Sequence, residues 1–258
     1  MLVTGATSGV GEALVPALAE RGASVLVHGR DAARVAELAS TLPGATGFVA
    51  DLASLAEVAR FAEEVCAAGP LEVLVNNAGV GFGSDRKRRE VSADGYELRF
   101  AVNYLAPFLL TELLGAQGLP SRAVVNLSSA GQAPIDRADL MSERNYDGTL
   151  AYRRSKLALI ADTFQRAAQG GPRTFLTLHP GTFLATKMVR EANITPQGTV
   201  ASGVQAVLHV LDAALSGQTG RYFERESPAE PDVTASDSAA QDWLREQALR
   251  LTAPFRTG

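Results

Sequence analysis

Apolar positions along the chain follow two alternating rhythms. Short runs such as "VLVN", "AVVNL" and "TFLTLH" are apolar nearly throughout, as strands covered on both faces are. Between them lie longer stretches with apolar residues at helical intervals. In "TLAYRRSKLALIADTF", Leu157, Leu159, Ile160 and Phe164 recur with Arg153, Arg154, Lys156 and Asp162 between them. The pattern predicts strands at Leu2–Thr4, Ser24–His28, Ala45–Ala50, Val73–Asn76, Ala123–Leu127, Thr174–His179 and Gly220–Phe223. It predicts helices at Gly9–Arg21, Ala32–Thr41, Leu55–Ala67, Tyr96–Leu114, Leu150–Ala168, Thr199–Ser216 and Ala239–Leu251. This alternation implies an α/β fold, a doubly wound parallel sheet of about seven strands with helices on both faces. With neither an internal repeat nor a long linker, residues 1–258 read as a single domain. The Pro-, Ser- and Asp-rich segment 224–241 reads as a mobile loop.

Composition narrows the classes. The chain has 258 residues, 46% hydrophobic and 20% charged, with net charge −4, ordinary for a soluble domain. That balance argues against nucleic acid or an anionic membrane surface as partner. The one dense basic run, "DRKRRE" at Asp85–Glu90, reads as a solvated loop, with cofactor phosphate or an acidic substrate as its other readings. A single cysteine, Cys66, cannot form an internal disulfide, and no apolar run reaches the roughly 18 residues of a membrane span. A cytoplasmic protein is expected, and no metal site is called for.

Two stretches carry candidate chemistry. "TGATSGVG" follows the first strand and opens the first helix, with glycines at 5, 9 and 11. Such a turn lets the backbone approach a pyrophosphate at a helix N-terminus, and Gly5, Thr7, Ser8, Gly9, Val10 and Gly11 are its expected contacts. After the second strand come Gly29, Arg30 and Asp31. An arginine here meets a 2′-phosphate and an acid meets ribose hydroxyls; Asp31 also suits the N-cap of the next helix. Arg30 favours NADP over NAD. Tyr152 and Lys156, four apart, share one helical face, where an ammonium would lower the phenol's pKa.

The order of "TGATSGVG", "ADLAS", "NNAG", "SS" and "YRRSK" resembles the short-chain dehydrogenase/reductase family, from Met1 to about Met188. The resemblance implies a Rossmann fold and an oxidoreductase that moves a hydride between NADP and a carbonyl or alcohol. It makes Tyr152 the general acid or base, with Lys156 holding the nicotinamide ribose. Ser129 is the implied hydroxyl donor with Ser128 as helper, and Asn103 the residue that completes a water relay to the lysine. Asp51 and Leu52 would touch adenine; Asn76, Asn77, Ala78 and Gly79 would line the adenosine side. Pro180 and Gly181 would shape the nicotinamide end, with Thr186 or Thr182 reaching the carboxamide. His179, ending a buried strand, reads as a hydrogen-bonded core histidine.

Tyr152 lies 23 positions after Ser129, a separation that encloses an insertion. Its length, with "VSADGYELRFAVNYLAPFLLTELL" and "TGRYF", resembles the branch that contains retinol dehydrogenases and their bacterial relatives. Lid segments near 132–150 and 183–200 would then offer Phe183, Leu184, Met188, Val189 and Ile194, beside Lys187 and Arg190, to a medium or large organic carbonyl such as a secondary-metabolite ketone. A redox-neutral cyclase or epimerase and a non-catalytic nucleotide sensor stay open as other uses of the fold. Through helices 96–114 and 150–168 the resemblance also implies a homodimer.

Overall fold

The computed structural model describes residues 1–256. Its centre is one sheet of eight strands: β1 (Leu2–Val3), β2 (Leu26–Gly29), β3 (Thr46–Val49), β4 (Val73–Asn76), β5 (Ala123–Leu127), β6 (Thr174–His179), β7 (Arg221–Glu224) and β8 (Ser227–Ala229). They run in the order β3-β2-β1-β4-β5-β6-β7-β8, all parallel except the β7–β8 hairpin. The eighth strand corrects the expectation of seven and lies in the segment read as a loop. A short helical turn, Val233–Ser236, follows it and buries Ala235. β1 and β4 lie side by side, and the chain winds away from them in opposite directions, so a crevice opens beyond their C-terminal ends.

Two apolar cores flank the sheet, as parallel strands buried on both faces require. One packs α1 (Gly9–Glu20) and α8 (Val200–Leu215) through Leu14, Leu18, Val207 and Leu211. The other packs α3 (Leu55–Ala67), α5 (Ala106–Ala116), α6 (Gly148–Ala168) and α9 (Ser238–Thr252) through Phe61, Phe108, Ala158 and Leu244. The predicted helix 96–114 is divided: α4 (Leu98–Phe100), a π-helical turn over Ala101–Leu105, then α5. Two further helices are α2 (Ala32–Ser40) and α7 (Lys187–Glu191), the latter inside the expected lid.

The two helices expected to form a dimer face are already covered. Every residue from Ser155 to Thr163 is buried, as is every residue from Ala106 to Thr111, so neither helix leaves a side free over those turns. The cover is α9. Glu112 of α5 accepts ion pairs from Arg166 (2.7 Å), Arg245 (3.3 Å) and Arg256 (3.8 Å), and Arg166 also pairs with Asp162 at 2.7 Å.

Candidate active site

The glycine turn is held against the end of β4 by a closed set of hydrogen bonds. Thr4 Oγ1 accepts from the backbone N–H groups of Asn77 and Ala78, both at 3.1 Å. Asn77 Nδ2 donates to the carbonyls of Thr4 (2.8 Å) and Gly5 (3.0 Å). Gly5 has φ +63°, and a β-carbon there would lie 2.8 Å from Ala78 Cα, so only glycine lets the two loops meet. At the start of α1 the N-cap Ser8 makes no side-chain cap, whereas Asp31, Ser54, Asp147, Thr199 and Asp237 each cap their helices. The first N–H groups of α1 therefore keep their donors for an anion, the chemistry a pyrophosphate needs. Gly9 and Gly11 open that turn, whereas Val10 is buried in the core. Thr7 packs against Gly29.

Asp31 is committed to its helix: its carboxylate accepts from Ala33 N at 3.0 Å and Arg34 N at 3.2 Å. Arg30 stays exposed beside it. Asp51 accepts from Ala53 N at 2.9 Å while Leu52 is buried. Asn76 does not line the crevice as expected. Its Nδ2 donates to Asn126 Oδ1 (2.8 Å), whose own Nδ2 donates to Thr163 (2.9 Å), a buried chain from sheet to α6.

A contributor that sequence reasoning missed is His28. It is 2% exposed, stacks on Phe61, and bridges two loops: Nδ1 accepts from Gly5 N and Nε2 donates to Ala50 O, both at 3.1 Å. Burial lowers its pKa to about 4, so the ring stays neutral with that tautomer fixed. The only signal was a polar residue inside the apolar run "VLVHG".

Ser129, Tyr152 and Lys156 converge above the ends of β4 and β5. Burial pushes the Tyr152 phenol up, and a hydrogen bond with Ser129 opposes this. The expected lowering by Lys156 is not seen, because the ammonium turns to the Leu127 carbonyl at 2.8 Å and lies 5.8 Å from the Tyr152 ring centre. Lys156 is itself buried, which lowers its pKa to about 8. Ser128 is occupied, donating to Leu178 O at 3.1 Å. Asn103 sits in the π-helical turn with both ends of its amide bonded: Oδ1 accepts from Val80 N (2.8 Å), and Nδ2 donates to Val80 O and Ser155 Oγ (both 3.0 Å). Its side chain thus clamps the loop after β4 onto α6. Gly79 lies in that loop, where a β-carbon would stand 3.2 Å from Asn103 Oδ1 and 3.4 Å from Lys156 Nζ.

The segment after β6 closes over this site. Thr186 packs its methyl on Gly9, while Thr182 is hydrogen-bonded to His179 at 3.1 Å. Met188 covers Gly81. Pro180 and Gly181 lead into the segment, but Leu184, expected as a substrate wall, is 6% exposed and packs on Gly181, Gly198 and Gly203 in the core. Phe82, not foreseen, meets the Tyr152 ring edge-on, centres 4.8 Å apart.

A parallel sheet with its glycine turn at the switch point, and a serine, tyrosine and lysine gathered there, define a nucleotide-dependent oxidoreductase site. The family described as short chain dehydrogenase matches residues 1–197, and the chain belongs to it. Among similar proteins, polyprenol dehydrogenase of Mus musculus is 37% identical over 97% of this chain and 83% of its own length. Retinol dehydrogenase 14 of Homo sapiens is 35% identical over 86% of this chain and 76% of its own. The structure of NADPH-bound carbonyl reductase from chicken fatty liver superposes with a TM-score of 0.68 at 25% identity, over 89% of this chain and 97% of that one. The fold and the retinol dehydrogenase-like branch are therefore those the motif order resembled. No helix among the described residues is long and apolar enough to cross a membrane.

Proposed function

We propose that this protein is an NADPH-dependent reductase of ketones or aldehydes. The observation that supports the cofactor choice is at the end of β2: Asp31 turns Oδ1 to the cap of α2, and Arg30 beside it is exposed with no ion-pair partner among the described residues. NADPH, when bound, supplies the hydride. The substrate gains that hydride at carbon and a proton at oxygen while NADPH is oxidised to NADP⁺. Tyr152 gives the proton; Ser129 hydrogen-bonds the oxygen as negative charge grows on it. Lys156 sets its ammonium next to Gly79 at the nicotinamide end, with Asn103 fixing the loop that carries Gly79. Apolar lid residues such as Met188 suit a medium-sized organic carbonyl, a secondary-metabolite ketone among them. The single half-buried thiol, Cys66, fits a reducing, cytoplasmic setting.

Parallel fluorescence titrations with NADPH and NADH, followed by turnover with the preferred nucleotide, test this. Tighter NADPH binding and a loss of about 10³ in kcat for Tyr152→Phe are expected. Equal turnover by that variant overturns the mechanism. Deuterium from labelled NADPH that never reaches product points to redox-neutral chemistry.

A further inference from the structure

The basic run Asp85–Glu90 has no part in the reading above, yet it lies at the substrate side of Tyr152. Phe82 joins the two: its ring stands edge-on to Tyr152 at 4.8 Å, and the Arg86 guanidinium lies over that same ring at 5.6 Å. No more than those two spacings together separates Arg86 from the catalytic ring. The placement is rigid, because Gly148 at the start of α6 abuts the Phe82 carbonyl so closely that a β-carbon there would collide with it. Arg153 follows Tyr152 in sequence. The open side of Gly131 faces both Ser129 Oγ, at 3.5 Å from where a β-carbon would begin, and Arg153 Nε, at 3.7 Å. Arg86 and Arg153 are exposed and neither guanidinium has an ion-pair partner among the described residues. The nearby acids are engaged elsewhere: Asp147 with Lys87 and the α6 N-cap, Glu90 with Arg99, Asp136 with Arg154.

Two guanidinium groups without ion-pair partners, one over the aromatic ring that meets Tyr152 and one beside the glycine that faces Ser129 Oγ, suit a planar substrate with negative charge at its far end. Resting on the reductase reading, we propose that the enzyme selects carbonyl substrates that bear a carboxylate, held by Arg86 and Arg153 while the apolar body lies on Phe82. The carboxylate makes and breaks no bond; it fixes which way the carbonyl faces Ser129 and Tyr152.

The test compares kcat/KM for 4-carboxybenzaldehyde with that for its methyl ester, in the full-length enzyme with NADPH. A preference for the acid of roughly three- to tenfold is expected at about 50 mM salt, shrinking at about 0.5 M as exposed charges are screened. In Arg86→Gln/Arg153→Gln the ratio falls to about one, and Arg86→Glu favours the ester. Lys87→Gln, already paired to Asp147, keeps the wild-type ratio. Equal use of both aldehydes by the wild type, or an unchanged ratio in the double variant, overturns the inference. Failure to oxidise NADPH with these aldehydes and with a panel of other ketones and aldehydes overturns the reductase reading instead. Calorimetric binding of 4-(hydroxymethyl)benzoate against its methyl ester then decides for or against the anionic subsite on its own.

Discussion

At the scale of single residues the site trades stability for chemistry, and Lys156 shows the trade most directly. A lysine 5% exposed with its pKa lowered to about 8 is held charged at neutral pH against its surroundings. The unfolded chain binds this proton up to the ordinary value of 10.5, whereas the folded protein releases it near 8. Folding is therefore penalised below pH 8, and the penalty is relieved as pH rises from 8 towards 10.5. That interval corresponds to about 3 kcal/mol. Lys156→Met is expected to be inactive yet more stable than the wild type at pH 7, by about 1–2 kcal/mol in urea unfolding, with the advantage gone near pH 10. For the wild type, kcat/KM for carbonyl reduction should fall above about pH 8, as the free enzyme loses its ammonium. A variant less stable at pH 7, or a flat profile to pH 10, contradicts this account.

Elements were legible where period and burial agree. The two-face strands "AVVNL" and "TFLTLH" occupy the positions their apolar runs marked, because a strand between two layers of helices has no polar side to disguise it. β8 was not legible: Ser227–Ala229 has no alternation, and its tight turn carries Arg225 at φ +56° instead of the glycine or asparagine that announces such a turn. Nor was the π-helical turn, since "FAVNYLAPFLL" is buried on all sides and a one-residue slip in register leaves no trace in its hydrophobicity. Among site residues, the glycine turn and the tyrosine–lysine pair were called from spacing and the serines from the resemblance alone, whereas what Asn103 touches is decided by that slip. Asn103→Ala would strand Val80 N–H, Val80 C=O and Ser155 Oγ in a buried setting. An expected cost of about 2–4 kcal/mol follows, together with a fall in kcat well beyond any change in NADPH affinity. Asn103→Asp keeps the acceptor for Val80 N–H but loses the donor, so it should fall between the two. Wild-type stability in the alanine variant would show that the amide clamps nothing.

At the scale of the whole molecule, the C-terminal helix lies on one of the two long helices through which a dimer was expected. Dimers built on the long helices need an apolar side on each, but here α9 and the turn at Val233–Ser236 already cover α6, and α5 is buried through Thr111. The contact is sealed by charge as well as by Leu244 and Ala248: Glu112 serves Arg166, Arg245 and Arg256 together, with Arg166 7% exposed. Displacing α9 would take Arg245 and Arg256 away from Glu112 and leave it with Arg166 alone, a cost that a second copy repays only by presenting matching charges. The large apolar side chains that remain exposed are Val49, Val91, Leu150 and Val233. Each comes from a different element or loop, and none belongs to α5 or α9. A monomer is therefore expected by light scattering at micromolar concentration, unchanged by nucleotide. Arg245→Glu places a second acid against Glu112, so it should loosen α9 and lower the thermal midpoint by several degrees. A wild-type dimer would mean that the chain associates through another face, and a dimer appearing only in Arg245→Glu would mean that α9 is what holds the copies apart.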